Sequence, residues 1–171
     1  MEEIDFAREL EKIRPDDIPE IFELVKKAVK RVTGAQRSGM MLGLADLGEG
    51  EYYWIGGFHI LSSNAIVMNT RSLDFIRENH LRLYKPYVFE VMMHEYLHTL
   101  GLVNEKQCRE QASVIAEQLF GYSHLVTELS RDISKFLPYI RSAKYGWNPP
   151  RDFSIKYLRG FDRSSTKTYI S

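Results

Sequence analysis

The sequence predicts an α+β protein, and three observations carry that reading. Apolar residues recur at helical spacing in several separate segments. A block of short alternating runs between residues 52 and 69 reads as β structure. A helix with the pattern His-Glu-x-x-His follows that block. The 171 residues suit one domain. With 44% hydrophobic and 12% aromatic residues, the chain can fill a core, which excludes wholesale disorder.

Taken in order, Ile4, Leu10 and Ile13 mark a short amphipathic helix, ended by Pro15. Asp17 is placed to cap the next helix, with Pro19 in its first turn. Ile18, Ile21, Phe22, Val25, Ala28, Val29 and Val32 form its apolar stripe, and Gly34 stops it. From Gly39 to Gly50 the chain is glycine-rich, a strand or loop without the Gly-Lys-Ser/Thr signature of a phosphate loop.

Three β runs follow: Tyr52–Ile55, Phe58–Leu61 and Ala65–Met68, with Gly56-Gly57 and Ser62-Ser63-Asn64 between them. Ser72 is a candidate cap for a short helix through Arg77. Tyr84 to Gly101 reads as the next helix and Asn104 to Phe120 as another, each closed by a glycine. A last helix is expected from Ser123 to Leu137, stopped by Pro138.

Residues 143–171 read differently. They carry Gly146-Trp147-Asn148-Pro149-Pro150 and a basic run, Arg163-Ser164-Ser165-Thr166-Lys167-Thr168. The expected organisation is a single domain over residues 1–142 and a C-terminal tail over 143–171 that wraps the domain or its cleft.

Lys and Arg total 23 and Asp and Glu total 23, so no charge excess argues for a nucleic-acid partner. The single cysteine, Cys108, excludes an intrachain disulfide and a multi-cysteine metal cluster. The acidic start lacks a signal peptide's basic and apolar regions, and no apolar run is long enough to cross a bilayer. The expectation is a soluble, cytoplasmic protein with no membrane partner.

The chemistry lies in Val91-Met92-Met93-His94-Glu95-Tyr96-Leu97-His98-Thr99-Leu100-Gly101. Residues four apart on a helix differ by about 40°, so His94 and His98 point the same way, one turn apart. Two imidazoles so placed can both reach one tetrahedral Zn²⁺. Glu95 lies about 100° round from His94, beside such a metal rather than on it, where it can take a proton from an activated water. Phe89, Met92, Met93, Tyr96, Leu97 and Leu100 back the helix on its other side.

A catalytic zinc site usually needs a third protein ligand. The short link Gly101-Leu102-Val103 returns the chain antiparallel, so the next helix should supply it. Glu105, Glu110 and Glu117 compete. Cys108, Ala112, Ile115 and Leu119 form the buried stripe; Glu105 continues it, while Glu110 and Glu117 fall opposite. Glu105 is the first choice, with Asn104 as N-cap and Gln107 able to return the hydrogen bond. Cys108 reads as a core thiol. His59 reads as a surface or packing residue, His80 lies in a polar turn, and His124 or a later tyrosine is a candidate partner for a tetrahedral intermediate.

His94-Glu95-Tyr96-Leu97-His98 followed by Asn104-Glu105 resembles the zincin metallopeptidases, most of all the gluzincin branch and its small minigluzincin members. His98 and Glu105 are closer in sequence than gluzincins usually have them. Gly101 matches a metzincin glycine, but Asn104 stands where that branch has its third histidine, and no methionine follows Met93. The resemblance implies a mixed sheet ahead of the active helix, with an edge strand, from Trp54–Leu61 or Ala65–Met68, that binds extended peptide.

The expected function is therefore zinc-dependent hydrolysis of peptide bonds in a peptide or protein substrate. His94, His98 and Glu105 hold Zn²⁺ and Glu95 serves as general base. The alternatives are the same site kept latent by the tail, with Tyr145, Trp147 and Pro149-Pro150 as plug, or a non-catalytic zinc-binding interaction protein.

Overall fold

A computed structural model describes residues 3–50, 54–142 and 146–162, and they form an α+β arrangement of helices around a small mixed sheet. Helix α1 (Phe6–Lys12) starts at Asp5, whose carboxylate accepts from the Arg8 amide at 3.1 Å. Helix α2 (Ile18–Thr33) is capped by Asp17, carries Pro19 in its first turn and closes at Gly34, as its sequence dictates. Its stripe of Ile21, Phe22, Val25, Ala28 and Val29 is fully buried.

Strand β1 (Met41–Ala45) resolves the glycine-rich segment, and β2 (Glu49–Gly50) is a short second piece of it. Strands β3 (Gly57–His59) and β4 (Ala65–Asn69) account for two of the three expected runs. In the third, Trp54 and Ile55 have no strand partner, and Tyr52 and Tyr53 lie outside the described residues.

Helix α3 (Thr70–Asn79) begins before Ser72, because Asn69 caps it by accepting from the Arg71 amide at 3.0 Å. Helix α4 (Leu81–Thr99) also starts early, so Pro86 lies inside it and removes the amide that would bond back to the previous turn. The helix tolerates this because it runs through the middle of the core. Tyr84, Tyr87, Val88, Phe89, Met92, Met93, Tyr96 and Leu97 are all buried, around most of its circumference. It packs against α1, α2, α3, β3 and β4, and against the next two helices, α5 (Glu105–Phe120) and α6 (Leu125–Arg131).

The single helix expected over Ser123–Leu137 is three pieces. His124 caps α6, its Nδ1 accepting from the Val126 amide at 3.1 Å. Asp132 then turns extended at φ −158° and its carboxylate accepts from the Ser134 amide, starting a 3-10 turn over Ile133–Phe136. A local aspartate competes with helical backbone bonds in this way. Pro138, expected to stop a helix, sits instead in the first turn of α7 (Leu137–Ile140), where no amide is needed.

The main sheet has the order β3-β4-β1-β6, where β6 is Lys156–Tyr157. Strands β1 and β4 are parallel, Met41 opposite Ala65 and Ala45 opposite Asn69; β3 and β6 are antiparallel to their neighbours. A separate ladder joins β2 to β5 (Trp147–Asn148), Gly50 opposite Trp147. The described part of the C-terminal stretch is thus joined to both sheets. Phe161 stacks on Phe22 with centroids 4.3 Å apart, and Asp162 accepts from the Met40 amide at 2.7 Å while pairing with Lys26. Tyr145 and the basic run from Arg163 to Thr168 lie outside the described residues. No described helix is long and apolar enough to cross a membrane.

Candidate metal centre

The last two turns of α4 carry His94, Glu95 and His98. Gly101, at φ +107°, takes a backbone conformation that side chains resist, and this turns the chain out of α4. Asn104 then caps α5 through the Gln107 amide at 3.0 Å, which puts Glu105 in its first turn. The tip of α4 is tied down from the other side. The Arg37 guanidinium donates to Thr99 O at 3.2 Å and to Ser63 O at 3.1 Å, and the Arg37 amide donates to the Tyr96 hydroxyl at 2.8 Å.

His94 and His98 face each other, Nε2 to Nε2, at 3.1 Å. One Glu105 carboxylate oxygen lies 3.2 Å from His94 Nε2 and the other 2.8 Å from His98 Nε2. Leu102 O sits 2.6 Å from His98 Nδ1 and can only accept, so Nδ1 carries a proton and Nε2 is the ring atom left to bind a metal. Electron-pair donors therefore converge from three residues. Donors set around a four-coordinate metal at about 2.0–2.1 Å lie about 3.3 Å from one another, close to the separations seen here.

Cys108 completes a second grouping. His94, His98 and Cys108 offer ligand atoms within 4.8 Å of one another and could hold a metal ion. The thiol, however, meets the opposite side of the His94 ring, 3.8 Å from Nδ1, and lies 3.3 Å from the His94 carbonyl. Burial pushes this thiol up to about 12, which keeps it protonated at neutral pH.

Glu105 differs from its expected setting. The helical stripe directs it toward the core, yet its side chain is 61% exposed. At the very start of α5 it projects past the end of the buried stripe and reaches the imidazoles from the solvent side. Arg109, one turn on, lies 3.9 Å from it. Glu110 and Glu117 are exposed elsewhere on α5, and neither lines the cavity at the histidines.

That cavity holds about 470 Å³ between the Trp54–Gly57 segment, α4, α5 and the stretch from Leu129 to Leu137. Glu95 lines it and is buried. Burial pushes its carboxyl up to about 7, countered in part by His98. The His59 amide hydrogen-bonds this carboxyl. The pleat explains why. Ile60 donates to Ala65 O and Asn69 to Gly56 O, so the even-numbered residues of β3 bond to β4, and the Gly57 and His59 backbone groups point away from it. Burial lowers His94, which favours the neutral imidazole needed of a ligand.

Other candidates go elsewhere. His124 is spent as the α6 cap and packs on Phe120, and it does not line the cavity. His80 sits edge-on to Tyr139 in the α3–α4 turn. Trp147 pairs with Gly50, and Pro149 O accepts from Arg71, so neither lies in the cavity. The sequence reading passed over Glu90, a buried acid of the cavity wall that burial pushes up to about 8. The signal was present: Glu90, His94 and His98 follow one another at four-residue steps.

Compared with protein-family models, curated proteins and solved structures, the chain matches none.

Proposed function

We propose that this chain is a zinc-dependent metallopeptidase of the zincin type, most like the gluzincin branch, acting on peptide or protein substrates. The observation that carries the reading is the convergence of His94 Nε2, His98 Nε2 and the Glu105 carboxylate within 3.2 Å of one another beside a cavity. Glu105 is favoured over Cys108 as third ligand because it meets the two Nε2 atoms, whereas the thiol sits behind His94 at Nδ1.

Zinc held by His94, His98 and Glu105 would supply Lewis acidity to a scissile carbonyl and to a water, whose pKa it would bring down to about 7. Glu95 takes the proton from the attacking water and passes it to the leaving amine. Burial raises its carboxyl above the ordinary glutamate range, which strengthens it as a base. The His59 amide holds that carboxyl in place. Gly57, whose backbone groups face the cavity side of β3, offers an edge on which an extended substrate backbone can pair.

The test combines metal content with turnover. Protein purified without added zinc should carry one equivalent by elemental analysis, and His94→Ala should lose it. Glu95→Gln should keep the metal while hydrolysis of a fluorogenic peptide mixture disappears. Zinc retained by the His94 variant would refute the ligand set. Turnover undiminished in Glu95→Gln, or none in the unaltered zinc-loaded protein, would leave a metal-binding protein without peptidase chemistry.

A further inference from the structure

Glu90 is 6% exposed and belongs to the wall of the cavity, one helical turn before His94. No described residue donates a hydrogen bond to its carboxyl or pairs with it as an ion. Its oxygens keep contact with the cavity, where water or a ligand's donor satisfies them. Its neighbours are otherwise engaged. Arg109 acts on Glu90 only through space and lies by Glu105 at 3.9 Å. Arg131 turns away, its guanidinium 4.0 Å over the Tyr122 ring and donating to Tyr122 O at 3.0 Å. Asp132 accepts from Ser134.

The cavity that Glu90 lines mixes the apolar side chains of Val91, Leu129, Ile133 and Leu137 with the charged ones of Glu95, Glu105, Arg109 and Arg131. Apolar side chains and an acid in one wall together complement a side chain with a hydrocarbon stem and a cationic head. A planar guanidinium would draw this acid into its carboxylate form, in which both oxygens can accept at once.

We infer that Glu90 is the specificity-determining residue of this cavity and that it selects peptides carrying a basic side chain, arginine above all, beside the metal-binding histidines. The inference rests on the peptidase reading for the substrate being a peptide, but not for the recognition itself. An α-amino group offers the same charge without the stem, and Val91, Leu129, Ile133 and Leu137 favour the side chain.

The experiment uses zinc-loaded protein in a Glu95→Gln background, so that bound peptide is not consumed. Three capped or uncapped pentapeptides are titrated by calorimetry: one with a central arginine, one with citrulline in its place, and uncapped pentaalanine. Citrulline keeps the shape and removes the charge. The arginine peptide should bind at least tenfold more tightly than the other two, and adding Glu90→Gln should bring the arginine and citrulline peptides within twofold of each other.

Equal binding of arginine and citrulline, a preference that survives Glu90→Gln, Glu90-dependent binding of pentaalanine as tight as that of the arginine peptide, or no binding of any peptide would each overturn the inference. The comparison within the Glu95→Gln protein keeps it testable even if the double variant fails to fold. Cleavage mapping with the unaltered protein separates the two claims. No cleavage together with charge-dependent binding would sink the peptidase reading and leave the recognition standing.

Discussion

Asn69 offers the sharpest test of how the fold holds the cavity, because one buried amide uses all its hydrogen-bonding groups. Its Oδ1 accepts from the Leu47 amide at 3.1 Å and the Arg71 amide at 3.0 Å. Its Nδ2 donates to Gly48 O at 3.0 Å and Ile55 O at 2.9 Å. Asn69→Ala removes the α3 cap, worth about 0.5–2 kcal/mol. It also strands an amide and two carbonyls, at about 1–3 kcal/mol for each one that water fails to reach. A loss of about 3 kcal/mol is therefore expected, which lowers the melting temperature of a chain this size by roughly 6–12 °C.

Asn69→Asp sharpens the test. It keeps the cap but turns an oxygen toward the Gly48 and Ile55 carbonyls, so it should cost nearly as much. The assay is urea unfolding followed by far-ultraviolet circular dichroism, with peptide binding measured on the folded fraction, since Ile55 lines the cavity. Stability of both variants within about 1 kcal/mol of the parent would show that this amide does not organise the loops.

Further outcomes follow from the site and its walls. Glu105→Ala should weaken zinc binding by more than the roughly 10–100-fold that outer-shell partners are worth, while Cys108→Ala retains the metal; chelator competition measures both, and the reverse ranking would make Cys108 the ligand. Glu90 is pushed up to about 8 from an ordinary 4.5, so it stays protonated in the fold at pH values where the unfolded chain has ionised. Its contribution is then fully present below about 4.5 and is lost as pH rises toward 8, so thermal melts of metal-free protein should fall across that window, and less steeply in Glu90→Gln. In Gly57→Ala the new Cβ would lie 2.8 Å from Val67 O, part of the sheet backbone, so β3 must shift, at about 1–3 kcal/mol in urea unfolding and with weaker peptide binding.

Local signals made part of this structure legible in the sequence. Asp17, Pro19 and Gly34 bound α2 because capping chemistry depends on neighbours a few residues away. The convergence of His94 and His98 follows from helical pitch alone. The same pitch misplaces Glu105, because a helical wheel has no ends and cannot show where the buried stripe of α5 runs out into solvent. It also leaves Glu90 unremarked, since an acid on the ligand face is informative only once Leu129 and Ile133 are known to close over it. The break at Asp132 was hidden by an apolar pattern that continues through it. Pairing of Gly43 with Tyr157 depends on contacts across most of the chain, to which periodicity is blind.

The Asp162 carboxylate joins Lys26 and the Met40 amide across separations of 136 and 122 residues. During synthesis the N-terminal helices and β1 emerge long before their last partner does. One border of β1 therefore stays unclosed until residues 156 and 157 are made, in a state that chaperones and proteases can engage. Closure of that border waits for residues 156–162, so a truncation just ahead of them should destabilise the fold out of proportion to the mass removed.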